Sequence, residues 1–176
     1  MFPIALDLTR IPVLLVGQGE LLQRRLAQLQ EAGVTEVTVL EGASPTAGDL
    51  QQCAIVMVAG LPREQAERIV IAAHEVGKLV NVEDINDLCN FYFTANVRRG
   101  DLIIAVSTSG ASPTLARKIR DAIAATFGEE WRERLREIAE LRQIWKKQGK
   151  VMKEVVDATE KHVKEKGWLT QKREVV

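Results

Sequence analysis

Cysteine is nearly absent from the chain. Only Cys53 and Cys89 occur in 176 residues, far apart and with no C-x-x-C pairing. A disulfide framework and a cysteine-rich zinc site are thereby excluded, and two reduced, mostly buried thiols are expected. Histidine is equally scarce. His74 and His162 have no partner at ligand spacing, so no preformed metal site is expected. Net charge is missing too, because Lys+Arg and Asp+Glu both total 24. No global field therefore draws the chain to nucleic acid or to an anionic membrane, and any basic site must be local. No apolar run approaches the ~18 residues that span a bilayer. Met1 to Asp7 is apolar but has no basic segment ahead of it, so it does not read as a signal peptide. A soluble cytoplasmic protein is the expectation.

What is present is alternation. Ile11 to Val16 is a short apolar run closed by Gly17, which predicts a buried strand. Leu22, Leu26 and Leu29 then recur at helical spacing, and Gly33 supplies a stop. Glu36 to Leu40 predicts a second strand, so this stretch is one βαβ unit with a right-handed crossover. Ser44 to Asp49 reads as a polar turn and Ala54 to Ala59 as another buried strand. Pro62 opens a helix whose inner stripe is Ala66, Ile69, Val70, Ala73 and Val76. Leu79 to Val82 predicts a fourth strand. Alternation of this kind builds an α/β, Rossmann-like, mainly parallel sheet. Beyond Asp84 the pattern changes. Phe91 to Val97 and Leu102 to Thr108 flank Arg98-Arg99-Gly100-Asp101 and predict a hairpin. Ser112-Pro113 starts a helix, and the charged remainder predicts two more amphipathic helices, broken near Gly149. Trp131 and Trp145 fall on nearly the same face of the first of these, which suits a dimer seam.

The most informative local pattern is Gly17-Gln18-Gly19-Glu20-Leu21-Leu22, between a predicted strand and a predicted helix. Gly17 permits a tight turn, Gly19 lets a pyrophosphate approach the backbone, and the helix N-terminus offers unpaired N–H groups. A plain strand–helix turn would use the same residues. Leu22 stands where a third small residue normally lets the helix lie close to the strand, and its bulk is expected to push the helix outward. Glu41 lies a little over ~20 residues past the glycines, where a carboxylate can accept from a ribose 2′-hydroxyl and repel a 2′-phosphate. It reads either as that group, favouring NAD, or as an exposed loop glutamate.

The order of motifs resembles the N-terminal module of siroheme synthase and its stand-alone relatives. F-P-I-A-L-D-L at the start, G-Q-G-E-L-L-Q-R-R-L and N-V-E-D from Asn81 to Asp84 resemble the corresponding family segments, the last being N-V-V-D in the family. A-V-S-T-S-G-A-S-P-T-L-A-R, from Ala105 to Arg117, is the most specific match. The resemblance implies oxidation of precorrin-2 to sirohydrochlorin with NAD and, as in some members, insertion of Fe²⁺ as a substrate. It places the catalytic aspartate on Asp84 and the NAD segment on Gly17 to Leu21 and Glu41, Gly42 and Ala43. Ala59 and Gly60 complete the expected cofactor set. It also implies a homodimer, formed through the middle hairpin and adjacent helices, and puts Thr108 where some members carry a phosphorylatable serine. The implied organisation is a dinucleotide domain over 1–84, a hairpin dimerisation segment over 85–108 and a helical domain over 109–176.

A polycarboxylated tetrapyrrole calls for guanidinium groups and clustered donors. Arg98 and Arg99 at the hairpin tip, Arg117 on the next helix, and Ser107, Thr108, Ser109, Gly110 and Ser112 around its start are the substrate candidates, with Asn81 beside the aspartate. In sequence, a solvated basic face and a routine helix cap look alike. So does an Asp84 that merely caps its turn. The chain departs from the family at Leu22 and in a shorter stretch between Glu41 and Ala54. Two readings remain open: NAD in a trimmed site, or a chelatase-only or non-catalytic tetrapyrrole-binding protein that has lost NAD.

Overall fold

The computed structural model describes residues 1–169; residues 170–176, part of the expected helical segment, lie outside the described residues. The chain divides into two compact units, Met1–Phe93 and Thr94–Val176. The hairpin therefore shares a unit with the helices that follow it.

The first unit alternates as its sequence demands: β1 (Val13–Gly17), α1 (Gly19–Glu31), β2 (Val37–Glu41), α2 (Ala47–Gln52), β3 (Ile55–Ala59), α3 (Arg63–Glu75) and β4 (Leu79–Val82). The four strands form one parallel sheet in the order β2-β1-β3-β4. Every residue of β1 and β3 is buried. That explains why these runs are continuously apolar, since a parallel sheet is covered on both faces. Side chains alternate between the faces. Val13, Leu15, Ile55 and Met57 pack with Leu22 and Leu29 of α1 and with Val34. Leu14, Val16, Val56, Val58, Val80 and Val82 pack with Leu50 of α2 and with Ala66, Ile69, Val70 and Ala73 of α3.

Two local predictions give way to tertiary structure. The stretch 44–49 is not only a turn. Thr46 caps α2 reciprocally with Asp49, the Asp49 N–H donating to Thr46 Oγ1 at 3.2 Å and the Thr46 N–H to Asp49 Oδ2 at 2.7 Å. The Thr46 hydroxyl, donating to Asp49 Oδ2 at 2.6 Å, and then the Thr46 N–H hold the Asp49 carboxyl below its ordinary pKa. A six-residue helix thus carries the crossover from β2 to β3, and the short stretch before Ala54 still closes the sheet. Phe91 and Phe93 are not strand residues either. Phe91 packs on the α1-side core, its ring meets Phe93 edge-on at 5.8 Å, and Arg25 lies over the Phe93 ring at 4.2 Å. Aromatic bulk, not strand pairing, explains their spacing.

In the second unit β5 (Ala95–Arg99) and β6 (Leu102–Val106) pair antiparallel, with Arg99 opposite Leu102 across a two-residue turn. Helices α4 (Pro113–Thr126), α5 (Trp131–Lys147) and α6 (Met152–Glu165) follow. The Trp131 ring packs within the unit, 5.0 Å from Phe127 and 6.5 Å from Trp168.

Candidate dinucleotide site and its surroundings

The sheet order fixes where a ligand can lie. From β1 the chain crosses to β2 on one side, and from β2 it returns past β1 to β3 on the other. The crevice at the carboxyl ends of β1 and β3 is the point where the direction reverses, which is where open α/β sheets bind ligands. The expected cofactor residues converge there. Gly17 is in register with Glu41 on one side and Ala59 on the other. The Gln18 N–H donates to the Ala59 carbonyl at 3.1 Å, and the Gly42 N–H donates to the Gly17 carbonyl at 3.0 Å. A Cβ at position 17 would sit 1.9 Å from the Ala59 carbonyl oxygen, and one at position 60 would sit 2.3 Å from that of Gln18. The glycines therefore let three strand ends close into one cradle.

The mouth of the cradle has a different character. Gly19 begins α1 with φ +66°, and a Cβ there would meet nothing within 4 Å. The residue before the helix, Gln18, makes no side-chain cap. The first-turn N–H groups of α1 are thus left for another acceptor. Glu20 and Glu41 are exposed, as are Gly42 and Ala43, and Leu21 is half-buried. A backbone cradle with an uncapped thirteen-residue helix behind it and a carboxylate at the end of β2 fits a nicotinamide dinucleotide.

Leu22 does not enter this crevice. Its side chain is completely buried against Val13, Leu15, Ile55 and Met57 beneath α1. The leucine fills the gap between helix and sheet while the glycine turn ahead of it still closes on Ala59.

Asp84 is exposed, one turn beyond β4. The Ile85 N–H reaches the Val82 carbonyl at 3.4 Å, so Glu83 and Asp84 are the central residues of a four-residue turn. Asp84 has φ +63°, a conformation that aspartate tolerates better than most L-residues. Asn81 behaves differently. It is buried in register with Met57, and its amide donates to the Phe91 carbonyl at 3.0 Å. Cys89 supports the same turn: its Sγ accepts from the Val82 N–H at 3.1 Å, and burial pushes its pKa up.

One cluster here was not singled out from the sequence. Glu83 has a side chain 7% exposed, ion-paired with Arg24 and, at 3.5 Å, with Arg25. The signal available was a carboxylate following an apolar strand, two residues from the buried Asn81.

In the second unit the arginine pair at the hairpin tip divides. Arg99 donates from Nε to the Phe127 carbonyl at 2.9 Å and reaches that of Ala124 at 3.4 Å, with Glu129 at 3.2 Å. It caps the C-terminus of α4. Arg98 and Arg117 are exposed. Ser112 accepts from the Leu115 N–H at 3.1 Å as the cap of α4, and Thr108 Oγ1 accepts from the Ser112 N–H at 3.1 Å. Ser109 lies at φ +51°, its N–H donating to Ser107 Oγ, and Gly110 follows at φ +85°. These hydroxyls build the entry to α4. Among the described residues no three His, Cys, Asp or Glu side chains form a metal-binding group, and no helix is long and apolar enough to cross a membrane.

Comparison with known families follows this division. Residues 4–95 match the family described as "Putative NAD(P)-binding", and residues 99–126 match the one described as "Sirohaem biosynthesis protein central". The chain belongs to the siroheme synthase N-terminal module family. As a member of it, the chain is similar to "Siroheme synthase" of Methylococcus capsulatus, 32% identical over 159 residues that cover 80% of this chain and 34% of that protein. It is 33% identical over 177 residues to "Siroheme synthase 1" of Serratia proteamaculans, covering 82% and 37%. The chain thus spans little more than a third of the length of these relatives. A solved structure titled "SirC, precorrin-2 dehydrogenase" shares the fold with a TM-score of 0.73 at 22% identity, covering 92% of this chain and 88% of that one. The expected α/β fold and family are thereby established, and the family match supports NAD as the cofactor.

Proposed function

We propose that this member of the siroheme synthase module family oxidises precorrin-2 to sirohydrochlorin, with NAD as hydride acceptor. The observation that carries the reading is the meeting of Gly17–Gly19, Glu41–Gly42 and Ala59–Gly60 at the switch point of the sheet, with exposed Asp84 at the end of β4. When bound, the nicotinamide supplies the electron sink, so the reaction asks the protein for orientation and one proton acceptor.

The chain's own residues divide that work. The α1 N-terminus and the backbone at 17–19 hold the pyrophosphate. Glu41 accepts from the ribose 2′-hydroxyl and disfavours a 2′-phosphate. Asp84 accepts the proton that leaves the macrocycle as the hydride departs, so two electrons and both hydrogens are accounted for. Arg98, Arg117 and the donors from Ser107 to Ser112 are the proposed partners of the substrate carboxylates, and Thr108 is the proposed modification position in that loop. Arg99 contributes by fixing the hairpin tip to α4. Homodimerisation, and Fe²⁺ insertion with the same carboxylate removing pyrrole protons, belong to this proposal as well. The chelatase-only alternative drew on Leu22 and the short stretch before Ala54; the burial of Leu22 under α1 and the capped α2 support the dehydrogenase instead.

The test is direct. Purified protein is titrated with NAD by calorimetry, then incubated with precorrin-2 and NAD while the absorption spectrum is followed. Asp84→Asn should lower the oxidation rate by about 100-fold or more while NAD binding stays. A wild-type protein that binds no NAD and leaves precorrin-2 unchanged would refute the reading.

A further inference from the structure

Glu83 is a charged side chain more than nine-tenths buried, and the mechanism above gives it no task. Its backbone extends the sheet by one bond, the Glu83 N–H donating to the Val58 carbonyl at 2.9 Å. Its side chain leaves the sheet on the same face as Asn81, two residues earlier, and there meets α1. Arg24 and Arg25 approach the two carboxylate oxygens separately, Arg24 at Oε1 and Arg25 at Oε2. Oε2 is buried with no hydrogen bond of its own, so the 3.5 Å pair with Arg25 is its compensation. Arg25, 11% exposed, is also held by the face of Phe93. Asp84 is the next residue, the second central residue of the turn, in a left-handed conformation. Its carboxylate also adds to the attraction that keeps Arg24 charged, after the Glu83 contacts themselves.

We propose that Glu83, clamped by Arg24 and Arg25, is a positioning residue that fixes Asp84 relative to α1 and so to the dinucleotide cradle at the start of that helix. The inference rests on the reading of Asp84 as proton acceptor. Two supports flank the Asp84 turn, and they differ in kind. On the α3 side Arg63 pairs with Asp87, but both side chains are more than half exposed and water competes for them. On the α1 side the carboxylate is sealed from water, where removing a partner strands a buried charge. The α1 side is therefore the one that sets geometry. It joins the two parts of the site that must be aligned: the helix that receives the cofactor and the turn that carries the proton acceptor.

The experiment compares wild type, Glu83→Gln, Arg24→Gln and Asp87→Asn by amide hydrogen exchange, NAD affinity and steady-state kinetics. Exchange at Glu83 and Ile85, whose N–H groups donate to the Val58 and Val82 carbonyls, should speed up about tenfold or more in Arg24→Gln, and at the same two positions in Glu83→Gln, with the amides of β1 and β3 unchanged. In the same two variants kcat should fall about tenfold or more, because small misplacements of a reacting group are costly, while the Kd for NAD moves less than about threefold. Asp87→Asn should match wild type in all three. Should Glu83→Gln fail to fold, Arg24→Gln carries the test, since Arg24 is more than half exposed. Arg24→Gln with wild-type exchange at Glu83 and Ile85 and kcat within about twofold overturns the proposal, as does a loss of NAD affinity in step with kcat. If wild type neither binds NAD nor turns over, the functional reading falls, and the exchange arm alone still decides whether the clamp holds the turn.

Discussion

Gly17→Ala and Gly19→Ala should separate the two duties of the glycine turn. At position 17 the added methyl would lie 1.9 Å from the Ala59 carbonyl oxygen and 2.9 Å from its carbon. Both are backbone atoms in the middle of the sheet, so no side chain can swing aside. Either β1 and β3 part at their carboxyl ends or the Gln18 N–H loses its acceptor. Overpacking of this kind costs about 3 kcal/mol. For the 93-residue first unit that is a fall of roughly 10 °C or more in the unfolding midpoint. At position 19 the methyl meets nothing within 4 Å, and the cost is that of holding alanine at φ +66°, about 1 kcal/mol. The same methyl would stand where a pyrophosphate comes against the α1 N-terminus. Losing one charge-assisted N–H contact there is worth ~1.5–3 kcal/mol, which weakens NAD binding by roughly 10- to 100-fold. Thermal unfolding followed by circular dichroism, with calorimetric NAD titration of each variant, reads both numbers. The reasoning fails if Gly19→Ala binds NAD as wild type does, or if Gly17→Ala unfolds at the wild-type temperature.

Three further outcomes follow from the same geometry. Glu41→Ser removes the carboxylate at the end of β2 and should shift the ratio of NADP to NAD affinity upward by about tenfold, checked by competitive titration; an unchanged ratio would remove Glu41 from the ribose site. Arg99→Ala uncaps α4 and should destabilise the second unit by about 1–3 kcal/mol, whereas Arg98→Ala should leave its unfolding midpoint within about a degree; equal effects would mean that Arg99 is no cap. Burial raises the thiol pKa of both Cys53 and Cys89. Their contribution to stability is therefore complete below the unfolded-state value near 8.5 and is lost as pH rises through the folded values. Denaturation midpoints should decline above about pH 8.5, and less so in Cys53→Ala/Cys89→Ala; an identical decline without the thiols would refute the assignment.

The parallel sheet was legible because β1 and β3 are buried on both faces, and that condition writes itself as uninterrupted apolar runs. The cradle was legible for a related reason: turns that admit no Cβ must be glycine. What escaped depends on contacts distant in sequence. Arg99 and Phe127 are 28 positions apart, so nothing local marked one of two adjacent arginines as a helix cap. Arg24 and Glu83 are 59 apart, and a charged residue after a strand looks like any surface residue until the helix packs over it. Helix α2 is too short to show a period, and its Thr46–Asp49 cap pair reads in sequence as a polar turn. Phe91 and Phe93 alternate like a strand, yet one ring enters the core and the other meets Arg25.

Leu22 bears on how nucleotide-binding fingerprints are to be understood. The first two glycines answer to the backbone of a neighbouring strand and to open space at the helix start. The third position answers to neither. It records what must be filled under α1, and here a leucine enclosed by β1 and β3 fills it. A pattern that insists on glycine or alanine there selects for one way of packing helix on sheet, whereas the turn ahead of Leu22 closes on the Ala59 carbonyl without it.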